Sequence, residues 1–109
     1  MAGAEGKIAV SGFKLDASEK AIVNEVVENY ARKIEEKFGF KEIMLRLKKS
    51  RHGKAFHHEI QGTLIVEDGE KQLKAEATDY NLFAALSQVF EKLMREAEHG
   101  ERTKRQIRK

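Results

Sequence analysis

The middle of the chain reads EIMLRLKKSRHGKAFHHEIQGTLIV from residue 42 to residue 66. Apolar and polar side chains alternate on both sides of its centre, as in β-strands that bury one face. The centre itself, residues 50–54, is polar and contains Gly53, so a basic hairpin loop is predicted between strands at residues 42–49 and 55–67. The apolar face of these strands would consist of Ile43, Leu45, Leu47, Phe56, His58, Ile60, Leu64 and Val66. Gly62 interrupts that face and is expected to mark a β-bulge.

The segment before the hairpin predicts a strand and a long helix. Residues 7–13 alternate in the manner of a short strand. Asp16 and Glu19 have the spacing of a capping box, and an apolar stripe with a period of three to four residues follows them. Gly39 stands where a left-handed helix end is expected. The first helix is therefore predicted over residues 17–38.

The segment after the hairpin predicts a last strand and a second helix. Asp68 and Gly69 are a two-residue turn signal before an alternating strand at residues 71–77. Asp79 is expected to cap the second helix, whose apolar stripe fades at residues 99–100. The stripe consists of Leu82, Phe83, Leu86, Val89, Phe90, Leu93 and Met94.

This order of elements predicts an α+β fold. The expected architecture is a two-layer β-α-β-β-β-α sandwich, in which a four-stranded, largely antiparallel sheet carries two helices on one face. We expect a flexible N-terminus at residues 1–6, a single domain at residues 7–100 and a basic tail at residues 101–109. The open face of the sheet would then be polar and mixed in sign, with Arg46, Lys48, His57, Glu59, Gln61, Lys74 and Glu76.

Composition excludes several classes of protein. A chain of 109 residues has the length of one domain, and the absence of Cys excludes disulfides, thiolate zinc sites and a thiol nucleophile. No apolar run approaches the roughly 20 residues of a membrane span, and no basic start followed by an apolar stretch indicates a secretory signal. A cytoplasmic location is therefore expected.

The sequence gives little sign of enzymatic chemistry. His57 and His58 are adjacent in a strand and so point to opposite faces, which disfavours a shared metal, and no glycine-rich phosphate loop follows a strand. We expect His58 to be a core or rim histidine and His57 to be exposed. Exposed aromatic side chains for stacking on unpaired bases are expected to be absent, which leaves phosphate contacts as the means of binding a nucleic acid. No catalytic residue, metal or cofactor is predicted.

The cationic residues are concentrated in two segments. The net charge is only +3, yet residues 46–54 and 102–109 each contain five Lys or Arg and no acidic residue, so the rest of the chain is net acidic. Such a distribution indicates a polyanionic partner. The alternative is a solvated loop and a solvated tail in a protein rich in Lys and Glu. The candidate RNA-binding residues are Arg46, Lys48, Lys49, Arg51, Lys54, Lys74, Arg95, Arg102, Lys104, Arg105, Arg108 and Lys109.

Three stretches of the chain resemble the ribosome hibernation-promoting factor family, which includes a related small-subunit-associated stress protein. They are KIAVSGFKLDASEKAIVNEVVENYARKIEEKF from Lys7, EIMLRLKKSRHGKAFHHEIQGTLIV from Glu42 and KAEATDYNLFAALSQVFEKLMREA from Lys74. The most telling part combines Asp79 and Tyr80, the run Phe83-Ala84-Ala85-Leu86, and Lys92 with Leu93. The resemblance covers residues 7–97.

This resemblance implies a β-α-β-β-β-α fold and binding to small-subunit ribosomal RNA in the channel used by tRNA and mRNA, which silences idle ribosomes. The chain departs from the family at residues 96–100, where a basic run is expected; here the basic run follows at residues 102–109. No linker and dimerisation domain follow, so pairing of ribosomes through such a domain is not expected. Residues 78–81 lack the lysines that begin the last helix of a double-stranded-RNA-binding domain.

We therefore expect a non-enzymatic protein that binds the small ribosomal subunit through its rRNA and represses translation, with no membrane and no small-molecule substrate as partner. Two binding alternatives stay open. One is a protein-interaction module that uses the open sheet face or an edge strand, and the other is a general structured-RNA-binding protein. An enzyme with a carboxylate or histidine site ranks last.

Overall fold

The computed structural model describes residues 6–12, 15–67 and 72–107, and for residues 52 and 100–107 it describes the backbone alone. The elements follow one another in the predicted order. They are β1 (Lys7–Gly12), α1 (Ala17–Lys37), β2 (Phe40–His52), β3 (Ala55–Val66), β4 (Gln72–Asp79) and α2 (Leu82–Ile107). The predicted turn at Asp68 and Gly69, together with Phe13 and Lys71 of the predicted strands, lies outside the described residues.

The four strands form one mixed sheet in the order β1-β2-β3-β4. β1 is parallel to β2, while β3 is antiparallel to both of its neighbours. α1 packs on β2, α2 packs on β3 and β4, and the two helices contact each other along one face of the sheet. The predicted α+β sandwich is therefore confirmed.

The core lies between this sheet face and the two helices, as the alternation in β2 and β3 predicts. Ile43 is opposite Leu64, and Leu47 is opposite Ile60. All four are almost completely buried. The helices contribute the residues at three- and four-residue spacing: Val23, Val27, Ala31 and Ile34 from α1 and Leu82, Ala85, Leu86, Val89, Phe90, Leu93 and Ala97 from α2.

The ends of α1 are those that the sequence predicts. The Asp16 carboxylate accepts a hydrogen bond from the Glu19 N–H at 2.7 Å, and the Glu19 carboxylate accepts one from the Asp16 N–H at 3.1 Å, which completes the capping box. Gly39 ends the helix with a φ of 70°, and its N–H donates to the Ile34 carbonyl.

The cap of α2 differs from the prediction. The Asn81 side chain, and not that of Asp79, accepts hydrogen bonds from the Phe83 and Ala84 N–H groups, at 2.9 and 3.0 Å. Asp79 is still paired in β4, opposite His58, and is therefore too far back along the chain to reach the first turn. Its carboxylate accepts a hydrogen bond from the Asn81 N–H instead, at 2.9 Å, and so fixes the capping residue.

Gly62 does not mark a bulge. It pairs regularly with Leu45 and Ala75, and the irregularity in β2 lies between Phe40 and Glu42. A Cβ at Gly62 would lie 2.5 Å from Cγ1 of Val89. The absence of a side chain at this position therefore lets α2 approach the sheet closely.

The second helix continues past its predicted end. α2 does not stop at residues 99–100 but runs through Gly100 to Ile107. A glycine inside a helix costs only about 1 kcal/mol relative to alanine, and five of the seven helical residues that follow it are Glu, Arg, Lys or Gln, which favour helix. An apolar stripe marks where a helix is buried, and a helix can extend beyond its buried part.

Candidate nucleic-acid interface

The β2–β3 hairpin extends past the rest of the sheet. Pairing of β2 with β1 ends at Leu47, and pairing of β3 with β4 ends at His58, but β2 and β3 stay paired as far as His52 and Ala55. Residues 49–57, here called the projecting hairpin, therefore form a two-stranded ribbon that pairs with no other strand among the described residues. This segment contains three cationic residues and no acidic one.

The predicted loop at residues 50–54 is only two residues long. β2 and β3 continue to a turn at Gly53 and Lys54, where Gly53 has a φ of 64°. The basic residues of this segment therefore lie on strands, where successive side chains point to opposite faces. The polar composition of the segment indicated a loop. A two-stranded ribbon that is solvated on both faces buries neither of them, so its strands do not need alternating apolar residues.

Lys49 and Arg51 lie on the helix-bearing face of the projecting hairpin, together with Phe56. Lys49 Nζ is 4.9 Å and Arg51 Cζ is 5.5 Å from the centroid of the Phe56 ring. Both distances are within the range of cation–π contacts. Phe56 is 46% exposed, although its place in the alternation of β3 is that of a core residue.

Arg46 and Lys48 lie on the opposite, open face of the sheet, as predicted. Arg46 is paired with Gln61, and Lys48 with Glu59. The four side chains line a shallow depression of about 340 Å³. Lys74 and Glu76 of β4 lie on this face as well. The open face is therefore mixed in sign, whereas the projecting hairpin carries only positive charge.

Tyr80 lies beside the open face, where the projecting hairpin leaves the sheet. Its ring meets that of His57 edge to face, with the centroids 4.2 Å apart and the planes at 89°. Tyr80 is 65% exposed, and His57 is half-buried against it rather than exposed as predicted. The Asp79 carboxylate accepts hydrogen bonds from the Asn81 N–H and from Nε2 of Gln88, so the backbone on both sides of Tyr80 is anchored.

The prediction that exposed aromatic side chains are absent is therefore wrong. Phe56 and Tyr80 are the two aromatic residues counted as exposed among the described residues, and both lie at the hairpin end of the sheet. Phe56 follows the apolar period of the core but lies beyond it, and Tyr80 follows the last paired residue of β4. The turn at Gly53 and Lys54 could have indicated the exposure of Phe56, since it places this residue close to the tip of the hairpin.

His58 lies at the base of the projecting hairpin and is buried, with 9% of its surface exposed. Burial lowers its pKa, and the positive charge of Lys49 acts in the same direction, against the opposing effects of Glu19 and Asp79. The imidazole is therefore neutral at pH 7, which agrees with the predicted core or rim histidine. The pKa of Asp79 is lowered as well, first by the Asn81 N–H and then by the Gln88 amide.

The projecting hairpin and the described backbone of the second cationic segment, residues 102–107, lie at opposite ends of the fold. α1 and α2 both begin at the hairpin end, and Lys37 near the end of α1 forms an ion pair with Glu98 of α2 at 3.3 Å. The segment after Glu98 therefore continues away from the hairpin, in a molecule 54 Å long.

The candidate residues consequently fall into two groups. The hairpin end brings together Arg46, Lys48, Lys49, Arg51 and Lys54, with Lys74 farther along the open face. Arg95 is exposed on α2, and the backbone of Arg102, Lys104 and Arg105 lies in the last turns of that helix. Arg108 and Lys109 lie outside the described residues.

The described residues include no group of three or more His, Cys, Asp or Glu side chains placed to hold a metal ion. None of the helices in the described ranges combines the length and the apolar character that crossing a membrane requires.

Comparison with known proteins identifies the fold. No protein-family model matches the sequence, and no curated protein is significantly similar to it. Among solved structures, the chain is similar to a ribosomal subunit interface protein from Coxiella burnetii, with a TM-score of 0.65 and 13% identity over 87% of this chain and 97% of that one. It is also similar to the N-terminal domain of Protein Y from Thermus thermophilus, with a TM-score of 0.55 and 21% identity over 84% of this chain and 93% of that one. The chain thus has the fold of these two proteins, the fold that the resemblance implied.

Proposed function

We propose that this protein binds the small ribosomal subunit through its rRNA and holds the ribosome inactive in translation, acting in the cytoplasm without a cofactor and without catalysis. The observation that carries the proposal is the projecting hairpin, a cationic ribbon free of acidic residues on a fold shared with a ribosomal subunit interface protein.

The charge pattern of the hairpin supports a polyanionic partner. Lys49, Arg51 and Lys54 lie within one ribbon, and Arg46 and Lys48 follow on the open face directly below it. Phosphates attract such a group of cations through long-range fields and through the release of counterions. The projecting hairpin itself contains no acidic side chain that would repel these phosphates.

The shape of the hairpin supports a structured partner. A two-stranded ribbon without flanking strands can enter a cleft from which the two-layer body is excluded. Ribosomal RNA offers both phosphates and clefts, and a protein lodged in a functional cleft of the small subunit would block translation by occupancy alone.

Sedimentation with purified ribosomal subunits tests the proposal. The protein is expected to co-sediment with small subunits at about physiological salt, to release from them as salt rises, and to inhibit a cell-free translation reaction in proportion to occupancy. In one control the large subunit replaces the small subunit, and in the other bovine serum albumin replaces this protein. Absence from the small-subunit fraction at low salt would contradict the proposal.

A protein-interaction module is the second candidate, because of the edge strand β1. Ile8 and Val10 are 42% and 40% exposed, although their partners in β2, Ile43 and Leu45, are buried. An edge strand with exposed apolar side chains can pair with a strand of another protein. If this candidate is correct, Val10→Lys abolishes partner binding, whereas neutralising the hairpin leaves it intact.

A further inference from the structure

We propose that Phe56 and Tyr80 are stacking positions for unpaired nucleobases, so that the RNA bound at the projecting hairpin is single-stranded or bulged rather than a continuous duplex. This inference rests on the proposed function in taking RNA as the partner, and it adds which kind of RNA structure is recognised.

The placement of the two rings is the first argument. Both exposed aromatic side chains of the described residues lie at the end of the sheet that carries the cationic ribbon. Phe56 is on the helix-bearing face of the hairpin, and Tyr80 is beside the open face, in contact with His57. A strand of RNA that passes around the hairpin would meet a ring on each side.

The rigidity of Tyr80 is the second argument. Hydrogen bonds from Asn81 and Gln88 anchor Asp79, and the His57 ring contacts the Tyr80 ring at right angles, yet Tyr80 is largely exposed to solvent. An aromatic ring that is already oriented loses little conformational entropy when a base stacks on it. Nothing in the core requires a large apolar ring at this exposed position.

The surroundings of Phe56 are the third argument. Lys49 and Arg51 hold positive charge within 5.5 Å of the ring centroid. A nucleotide offers a base to the ring and a phosphate to the cations, and this pairing of contacts is typical of single-strand binding. A continuous duplex offers the phosphates but keeps its bases stacked inside, where the ring cannot reach them.

The test measures the affinity of the protein for two fluorescently labelled RNAs, a single strand of about 12 nucleotides and a duplex of the same length. This length is within the site sizes of single-strand binders. Wild-type protein is expected to bind the single strand more tightly. Phe56→Leu and Tyr80→Leu should each weaken single-strand binding by roughly 5- to 150-fold and leave duplex binding unchanged. Phe56→Tyr and Tyr80→Phe keep a ring and should bind as wild type does. Equal binding of the single strand by the leucine variants and wild type would overturn the inference.

Tyrosine emission gives a second readout that a general loss of affinity does not imitate. The chain contains two Tyr and no Trp, so Tyr30→Phe leaves Tyr80 as the one tyrosine emitter. Its emission should be quenched on addition of single-stranded RNA and not on addition of duplex. Unchanged emission at saturating single-stranded RNA would contradict stacking on Tyr80.

Sedimentation of the leucine variants with small ribosomal subunits separates this inference from the proposed function. If wild type and both leucine variants bind subunits equally, the stacking inference fails and the proposed function stands. If wild type binds single-stranded RNA in a ring-dependent manner but does not sediment with subunits, the proposed function fails and the stacking inference stands.

Discussion

Arg51 and Phe56 face each other across the β2–β3 hairpin, with the guanidinium carbon 5.5 Å from the ring centroid. The pair lies beyond the last described pairing of β2 with β1 and of β3 with β4. It combines, in one cross-strand contact, the charge and the aromatic surface that distinguish this end of the molecule.

A double-mutant cycle should detect this contact. Arg51→Gln in the wild-type and Phe56→Leu backgrounds is expected to give a coupling free energy of about 0.5–1 kcal/mol in urea unfolding, as for exposed cation–π pairs. Arg51→Lys, which keeps the charge but not the planar group, should retain part of it. A coupling indistinguishable from zero would mean that the ring and the guanidinium do not stabilise each other.

Gly62→Ala should destabilise the fold by about 1–3 kcal/mol, because the added methyl group would lie 2.5 Å from Cγ1 of Val89 and push α2 off the sheet. Urea unfolding measures the effect. Gly53→Asn is the matched control: it adds a side chain in open space at a residue with φ of 64°, which asparagine tolerates, and should change stability by less than about 0.5 kcal/mol. A Gly62→Ala variant as stable as wild type would show that α2 can shift at no cost.

His58 should make stability depend on pH in the weakly acidic range. Its folded-state pKa lies below the unfolded value of about 6.5. As the pH falls through about 6.5 the unfolded chain therefore takes up the proton first, and the free energy of unfolding declines until the folded protein also titrates. Above that range the imidazole is neutral in both states and has no effect. Urea midpoints between pH 8 and pH 5 should fall less steeply for His58→Gln, and identical slopes would refute the assignment.

Deletion of residues 101–109 should leave the melting temperature nearly unchanged. The deleted segment contains one apolar residue, Ile107, so its removal should forfeit little apolar burial. Phe90→Ala is the contrasting change; the ring is completely buried and stacks on Tyr30 at 4.9 Å, so its loss should cost about 3–5 kcal/mol. A loss of several degrees on deletion would show that the segment packs.

The sequence predicted the parts of the fold that burial controls. The alternation in β2 and β3 and the stripes of α1 and α2 identified the core, because a buried face repeats with the period of its element. Where burial ends, periodicity carries no signal. The two-residue turn at Gly53 was missed for this reason, and the helix beyond Gly100 was missed because the sequence carries no apolar stripe there.

Two features of the site depend on which residues pair across the sheet. The sequence of one strand by itself does not show this pairing. Asp79 and Asn81 are both suitable capping residues, and the pairing of Asp79 with His58 decides between them. Similarly, Phe56 looks like a core residue until the described pairing of β1 and β4 is seen to end before it. The cationic residues were found from composition alone, but their separation into two ends of the molecule required the topology.

The salt dependence of small-subunit binding tests the role of the projecting hairpin most directly. One variant combines the substitutions Lys49→Gln, Arg51→Gln and Lys54→Gln. A control of equal net charge combines Arg32→Gln, Lys33→Gln and Lys41→Gln, which replace exposed cations outside the hairpin. The hairpin variant should bind more weakly, and the slope of log affinity against log salt should be shallower by about one unit for each lost phosphate contact. The control should keep a slope close to that of wild type. A hairpin variant with wild-type affinity and slope would contradict binding through the hairpin.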